Sequence, residues 1–294
     1  YPLLVASAYS GFVIWHMGYS SSAALFVATP GHLLEDRVGI IPVTETILSS
    51  TNIVMALMAL AIITIICPLM RPKDKDIIEF TPNTIDNIDN SALDNQSELT
   101  LIEKFENHRA LNIFLGLALV SYIVVTYTQN GFSLNLNIVS WTFLAFGLIL
   151  AASPMHFIKL INNAAATVGP IILQYPFYSG IMGMMATTGL MKVITDWIIS
   201  ISTPETLGFF AFLSGGLVNM FIPSGGGQWA VQGPIMIEAA LSLNVNPSVV
   251  VLGVAYGDQW SNMIQPFWTI PILAIAGLHM RQILGYTFVI FIMT

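Results

Sequence analysis

The sequence predicts an all-α polytopic membrane protein built from a re-entrant hairpin and broken helices. Three observations carry that prediction. Hydrophobic residues make up 55% of the 294 positions and charged ones only 9%, where a soluble domain carries about 25% charged residues. Charge is absent over long stretches, from Thr46 to Met70 and between Glu205 and Glu238. Finally, the glycine-rich run FIPSGGGQWAVQGP, Phe221 to Pro234, sits between two apolar runs, Pro204 to Ile222 and Trp229 to Leu243. Each is too short for a bilayer core, which needs about 20 helical residues.

In order along the chain, Tyr1 to Thr29 is apolar but interrupted. After Pro2 to Trp15 come His16, Met17, Gly18, Tyr19 and Ser20 to Ser22 before Ala23 to Thr29 resumes, which predicts a broken helix. Pro30, Gly31, Glu35, Asp36 and Arg37 end it, and Ile53 to Met70 predicts a spanning helix closed by RPKDKD. Residues 71–109 are the long hydrophilic segment, rich in Asn, Asp, Ser and Glu. The expectation there is a linker with a short interfacial helix over Leu99 to Phe105. Ala110 to Thr128 and Leu134 to Ala152 predict two spans joined at Gly131. Pro154 to Leu160 reads as interfacial, and Ala164 to Gly189, with Pro170, Pro176 and Gly180, as a kinked or broken helix. Lys192, Asp196 and their apolar neighbours Val193 and Trp197 predict an amphipathic surface helix. The hairpin over 204–243 follows, then a helix over 246–278 broken at GDQWSNMIQP, then a last helix after Arg281.

The hairpin is the stretch with the most chemistry. Lipid cannot solvate the peptide groups of a turn, so a turn at membrane depth must lie inside protein or beside water. Gly225, Gly226 and Gly227 leave backbone N–H groups uncovered, Ser224 and Gln228 add side-chain donors, and a short helix starting near Trp229 would aim its positive end into the loop. Such a loop would hold a small anion. The alternative is an ordinary Gly/Pro loop joining two full helices on the water side. A nucleotide-binding loop is excluded, because the GK[ST] ending is missing.

Charge sets orientation and excludes partners. Nine of the sixteen acidic residues fall between Asp74 and Glu106, so the net charge of −7 is local, and no basic cluster suits nucleic acid. With the linker cytoplasmic, Arg71, Lys73, Lys75, Lys104, Arg109, Lys159 and Arg281 lie inside and Arg37 and Lys192 outside, as the positive-inside rule requires. The hairpin then opens to the outer face. Cys67 is the sole cysteine, which excludes an internal disulfide and a cysteine metal cluster. HExxH and GxSxG are absent, so an enzyme is not expected.

Asp258 is the sole carboxylate side chain after Glu238 and falls in a predicted span. A carboxylate there costs about 2.5–3.5 kcal/mol on insertion scales and marks function by default. Helical spacing puts Asp258, Asn262 and Gln265 on one face with Ser261 beside it, a face suited to a sodium ion near Asp258 or to a proton. Capping a half-helix is the other role open to Asp258. His16 is a titrating group or a packing histidine. Gln228 and Gln232 are donors to a carboxylate or ties within the hairpin. Ala8 onward (AYSGFVIWHMGYSSSAALFVATPG) and Ala255 onward (AYGDQWSNMIQPFWTIPILAIAG) share a pattern, which arises by chance or marks an inverted-topology repeat with substrate at its midplane.

PSGGGQWAVQGP from Pro223 to Pro234, AYGDQWSNMIQPFW from Ala255 to Trp268, and the opening YPLLVASAYSGF with ATPGH at Ala28 to His32 resemble the short-chain fatty acid transporter family, within the ion transporter superfamily of secondary carriers. The resemblance implies an inverted-repeat secondary transporter in the bacterial cytoplasmic (inner) membrane. Its substrates would be short monocarboxylates of the butyrate or acetoacetate type, moved by elevator-like symport with a proton or sodium ion and no further cofactor. It implies three parts: 1–70 as the end of the first repeat, 71–109 as a cytoplasmic linker, and 110–294 as the second repeat. Carried over, the substrate residues are Ser224, Gly225, Gly226, Gly227, Gln228, Gln232 and Asn262, and those at the coupling ion are Asp258, Gln259 and Asn262. Family members are longer at the amino end, so a truncated member lacking the first scaffold helices and an inward-opening hairpin is expected. The partners expected are a short-chain monocarboxylate and the lipid bilayer, with a homodimer left open. A carrier for another small anion or amino acid, or a channel or structural membrane subunit, remains the alternative.

Overall fold

The computed structural model describes residues 1–73, 77, 106–131 and 134–294. Among the described residues the secondary structure is helical, with no strand. Most of the linker, including the expected interfacial helix over Leu99 to Phe105, lies outside them.

The contacts divide the chain into two compact units. The larger holds 2–72, 133–136 and 168–294, and the smaller Tyr1, 73–132 and 137–167.

In the larger unit the first element is broken, as expected, but its α-helical part is shorter. Helix α1, Pro2–Tyr9, passes into a 3-10 stretch at Ser10–Met17, and α2, Ser22–Val27, resumes after a bend. A 3-10 run of eight residues is long for that geometry. A short turn, α3 at Glu35–Val38, precedes α4, Ser50–Leu69. Ser49 caps α4 by accepting from the Asn52 amide N–H at 3.3 Å.

The smaller unit contains α5, Arg109–Asn130, and α6, Leu136–Leu150. Gly131 lies between them at φ +72°. Gly116 of α5 lies against Ala145 and Ile149 of α6, so closely that a Cβ would meet Ile149 Cγ1 at 2.5 Å. Backbones joined through small residues are a usual device where lipid removes the hydrophobic drive. Helices α4 and α5 are, among the described residues, the two long and apolar enough to cross a membrane. Leu57, Leu69 and Phe114 stand exposed on them.

The separate interfacial piece and the break expected next are absent: α7 is one helix over Pro154–Thr187. Pro170 and Pro176 each remove one backbone donor, a loss that membrane helices tolerate. Gly189, at φ +74°, ends the run. Helix α8, Leu190–Ser200, is the predicted amphipathic helix, with Val193 and Trp197 exposed. Its Lys192 donates to Asp196 at 2.8 Å, and that carboxylate holds the lysine above the usual range.

The hairpin has arms α9, Leu207–Asn219, and α10, Gly225–Ser242. Here too the boundary differs: α10 starts at Gly225 instead of near Trp229. Ser224, extended at φ −148° and ψ 103°, accepts from the Gly227 amide N–H at 3.3 Å. That cap offsets the poor helix propensity of three glycines, so they form the first turn of a helix and not a loop. The turn is buried at Ile222, Pro223 and Gly225, so it does not lie in solvent. The open ends carry the exposed residues Glu205 and Glu238, the latter 3.5 Å from Arg37.

The last part is α11, Pro247–Ser261, then a break, α12, Thr269–Ala276, and α13, Met280–Met293. The predicted break falls later than expected, since Gly257 to Ser261 are helical and the chain opens at Asn262. Gln265 therefore leaves the face expected for it, and its Oε1 accepts from the Phe267 N–H at 2.8 Å. Helices α9 and α11 pack through glycine. A Cβ on Gly215 would meet Val254 O at 2.6 Å, and one on Gly257 would run into Phe212 O and Gly216 N.

Candidate functional site

Two interrupted elements meet at the start of α10. From the first comes His16, wholly buried, and from the end of α11 comes Asp258, 1% exposed. His16 Nε2 lies 3.2 Å from Asp258 Oδ2, and Nδ1 lies 3.3 Å from Ser21 Oγ. The His16 backbone N–H donates to Gln259 Oε1 at 2.9 Å, which fixes the 3-10 stretch to α11. Asn262 Nδ2 donates to Asp258 Oδ1 at 3.2 Å. The Trp15 ring packs against the imidazole at a tilt of 44°, with centroids 3.7 Å apart.

Asn219, at the end of α9, ties the hairpin to this centre. Its Nδ2 reaches the Asp258 backbone carbonyl at 3.0 Å, Ser261 Oγ at 2.8 Å and Asn262 Oδ1 at 2.9 Å. Tyr9 donates its hydroxyl to the Asn262 carbonyl at 2.9 Å. A buried polar network of this kind fixes one geometry when it is satisfied.

Glycine at 225 has a spatial cause. A Cβ there would lie 2.6 Å from His16 Nε2 and 2.8 Å from the Trp15 ring, so only glycine lets α10 begin against the His16–Asp258 pair. Gly226 is less confined, its nearest neighbour being Ser22 Cβ at 3.9 Å. The first N–H groups of a helix have no intrahelical acceptor and sit at its positive end; with the Gly227 N–H given to Ser224 Oγ and the Ser224 N–H to the Ile222 carbonyl, the turn presents the Gly225 and Gly226 amides beside the pair.

The two glutamines serve the hairpin. Gln228 Nε2 donates to the Gly215 carbonyl at 2.8 Å and to Gln232 Oε1 at 3.0 Å, and Gln232 Nε2 donates to Ser214 Oγ at 2.8 Å. Their donors therefore join the two arms in antiparallel order. The oxygens of the expected ion site have polar neighbours: Asp258 Oδ1 and Oδ2, the Asp258 and Asn262 carbonyls, Asn262 Oδ1 and Gln259 Oε1 each lie within hydrogen-bond distance of a nitrogen or a hydroxyl. Asn219 Oδ1 and Gln228 Oε1 are buried carbonyl oxygens without a partner among the described residues.

Beside this centre lies a largely apolar cavity of about 540 Å³, lined by Val13, Met17, Met55, Phe212, Tyr256 and Gln259 among others. Of the residues singled out in the sequence, Asp258, Gln259, Asn262 and the Ser224–Gly227 turn come together here. His16 joins them as the partner of Asp258, which the sequence did not indicate. Ser21 belongs to the polar break and Tyr9 to the shared Ala-Tyr pattern, but neither was singled out for the site, and Asn219 had no signal beyond being a polar residue in an apolar run.

A family model described as "Short chain fatty acid transporter" matches residues 1–294. The chain belongs to the short chain fatty acid transporter family. It is 37% identical over 286 residues to a protein of Escherichia coli (strain K12) named "Putative short-chain fatty acid transporter", covering 97% of this chain and 65% of that protein. A protein of the same name from Haemophilus influenzae is 37% identical over 303 residues, covering all of this chain and 67% of its own length. The chain thus spans about two thirds of the length of these relatives. No solved structure matches it. Members of this family are membrane transporters, not enzymes, and the all-helical fold with its exposed apolar spans agrees with that membership.

Proposed function

We propose that this chain forms the substrate-binding part of a secondary carrier for short monocarboxylates such as butyrate, driven by a proton or a sodium ion. The supporting observation is the start of α10 packed on the His16–Asp258 pair at Gly225. It combines donors for a carboxylate with a buried ionisable group, the two functions a coupled anion carrier must join. The substrate carboxylate would bind at the Gly225 and Gly226 amides beside Asn262, and its short acyl chain would extend among apolar walls. Gln228 and Gln232 would act by holding the arms that present the turn.

The inverted repeat, with parts 1–70, 71–109 and 110–294, belongs to the same reading. Two contacts support it. Tyr9, second residue of the first Ala-Tyr pattern, bonds to the break after α11 through Asn262. Tyr256, second residue of the other, donates to Asn52 Oδ1 at 2.8 Å, and Asn52 in turn donates to the Met17 carbonyl at 2.9 Å in the first break. The glycine contacts of α9 with α11 would let hairpin and broken helix move as one body, as elevator motion requires. An orientation with the linker in the cytoplasm follows the distribution of Lys and Arg, and residence in the bacterial inner membrane rests on the family resemblance.

Counterflow tests the proposal. Proteoliposomes of the intact transporter loaded with unlabelled butyrate should take up labelled butyrate transiently above equilibrium, after subtraction of protein-free vesicles. Absence of that overshoot for butyrate and acetoacetate alike would refute the carrier.

A further inference from the structure

We infer that the coupling ion is the proton and that it is carried by the His16–Asp258 pair, with Ser21 as its switch. This rests on the carrier reading above and narrows it. The bonding around the pair favours a proton over a cation: each oxygen of Asp258 faces a nitrogen at 3.2 Å, from His16 and from Asn262, which leaves fewer of its lone pairs for a cation, while His16 Nδ1 beside Ser21 can take a proton.

A proton needs no vacant oxygen. In the unloaded state neutral His16 donates from Nε2 to Asp258 Oδ2, and its Nδ1 accepts from the Ser21 hydroxyl. In the loaded state the added proton sits on Nδ1, and the imidazolium donates to Asp258 on one side and to Ser21 Oγ on the other. The observed distances of 3.2 and 3.3 Å serve both states, and the Ser21 hydroxyl changes from donor to acceptor. The proton enters and leaves through Nδ1, with no other bond made or broken.

The charge change explains coupling. Unloaded, the pair carries one negative charge; loaded, it is neutral. A monocarboxylate at the start of α10 is repelled by the first state and not by the second, so anion and proton bind together and leave together. Other groups facing the pair are uncharged: Tyr9 from α1, the amides of Gln259 and Asn262, Asn219 from α9, and the Gly225 turn. Glu238, at the far end of α10, is exposed beside Arg37.

The test uses initial rates of butyrate uptake by the intact transporter in proteoliposomes, with protein-free vesicles subtracted. In sodium-free buffer an inside-alkaline pH gradient should drive uptake with matching loss of external protons, and a sodium gradient at equal pH should add nothing. In His16→Gln, which keeps an amide at the ring position, the ratio of gradient-driven uptake to counterflow should fall by about tenfold or more, whereas a purely packing role would lower both together. Uptake that requires sodium, as a cation at Asn219 Oδ1 or Gln228 Oε1 would produce, overturns the inference. An unchanged ratio in His16→Gln does so too, while leaving the carrier reading intact. Should that variant not fold, the sodium and proton dependence of the wild-type protein decides. Lack of counterflow in wild type instead removes the carrier reading itself.

Discussion

His16 Nε2 lies 3.2 Å from Asp258 Oδ2, both side chains sealed from solvent, although the two residues are 242 positions apart in sequence. That pair joins the first interrupted element to the second and makes Asp258 part of a network instead of an isolated charge. Asp258→Asn retains a carbonyl for one donor and should insert normally yet lose uphill butyrate accumulation. Asp258→Ala leaves both His16 and Asn262 without an acceptor, an added cost of about 1–3 kcal/mol. Its melting temperature in detergent should therefore lie below that of Asp258→Asn. Equal melting points would deny the network that role.

Helices α9 and α11 touch through backbone at Gly257. Gly257→Ala drives a methyl group into Phe212 O and Gly216 N, both main chain and unable to yield. Overpacking of this kind costs about 1–3 kcal/mol or more. Gly285→Ala, with nothing within 4 Å of its Cβ, serves as control. Size-exclusion profiles should show aggregation for the first and a monodisperse peak for the second. A well-behaved Gly257→Ala would contradict the packing described.

Gln232→Leu separates the two roles of the hairpin glutamines. It removes the donor to Ser214 and the acceptor for Gln228, so the arms should loosen and thermal stability drop. Its effect on butyrate KM should be small beside that loss. A large rise in KM at unchanged melting temperature would move Gln232 into direct contact with substrate.

Asn219 Nδ2 lies within hydrogen-bond distance of the Asp258 carbonyl, Ser261 Oγ and Asn262 Oδ1, which share its two hydrogens. Asn219→Ala should destabilise by about 1–3 kcal/mol and slow counterflow as α11 loses its anchor to the hairpin. A wild-type melting temperature in this variant would show that the anchor is dispensable.

Much of this architecture was legible in the sequence because it rests on local signals. The apolar runs up to Met70 and over Ala110 to Thr128 marked the two helices long enough to span, whereas the run Leu134 to Ala152 became a helix of 15 residues, shorter than the span expected; the short runs beside Gly225 to Gly227 marked the hairpin. Asp258 stood out as the lone carboxylate of its segment. The rest depends on contacts that local pattern cannot encode. His16 meets Asp258 only once both elements are folded, and the donors of Gln228 and Gln232 go to α9 for the same reason. Local chemistry also competes with itself: the Ser224 cap carried α10 back over three residues that alone disfavour helix, and α7 ran through two prolines that alone suggested a break.

The most direct test of the central claim compares Gly225→Ala with Gly226→Ala in butyrate counterflow by the intact transporter. Both keep their backbone N–H, but only the first pushes a methyl group against His16 and Trp15. The account predicts that Gly225→Ala loses counterflow by about tenfold or more relative to Gly226→Ala, a penalty of roughly 1.4 kcal/mol or greater. Equal rates in the two variants would contradict it.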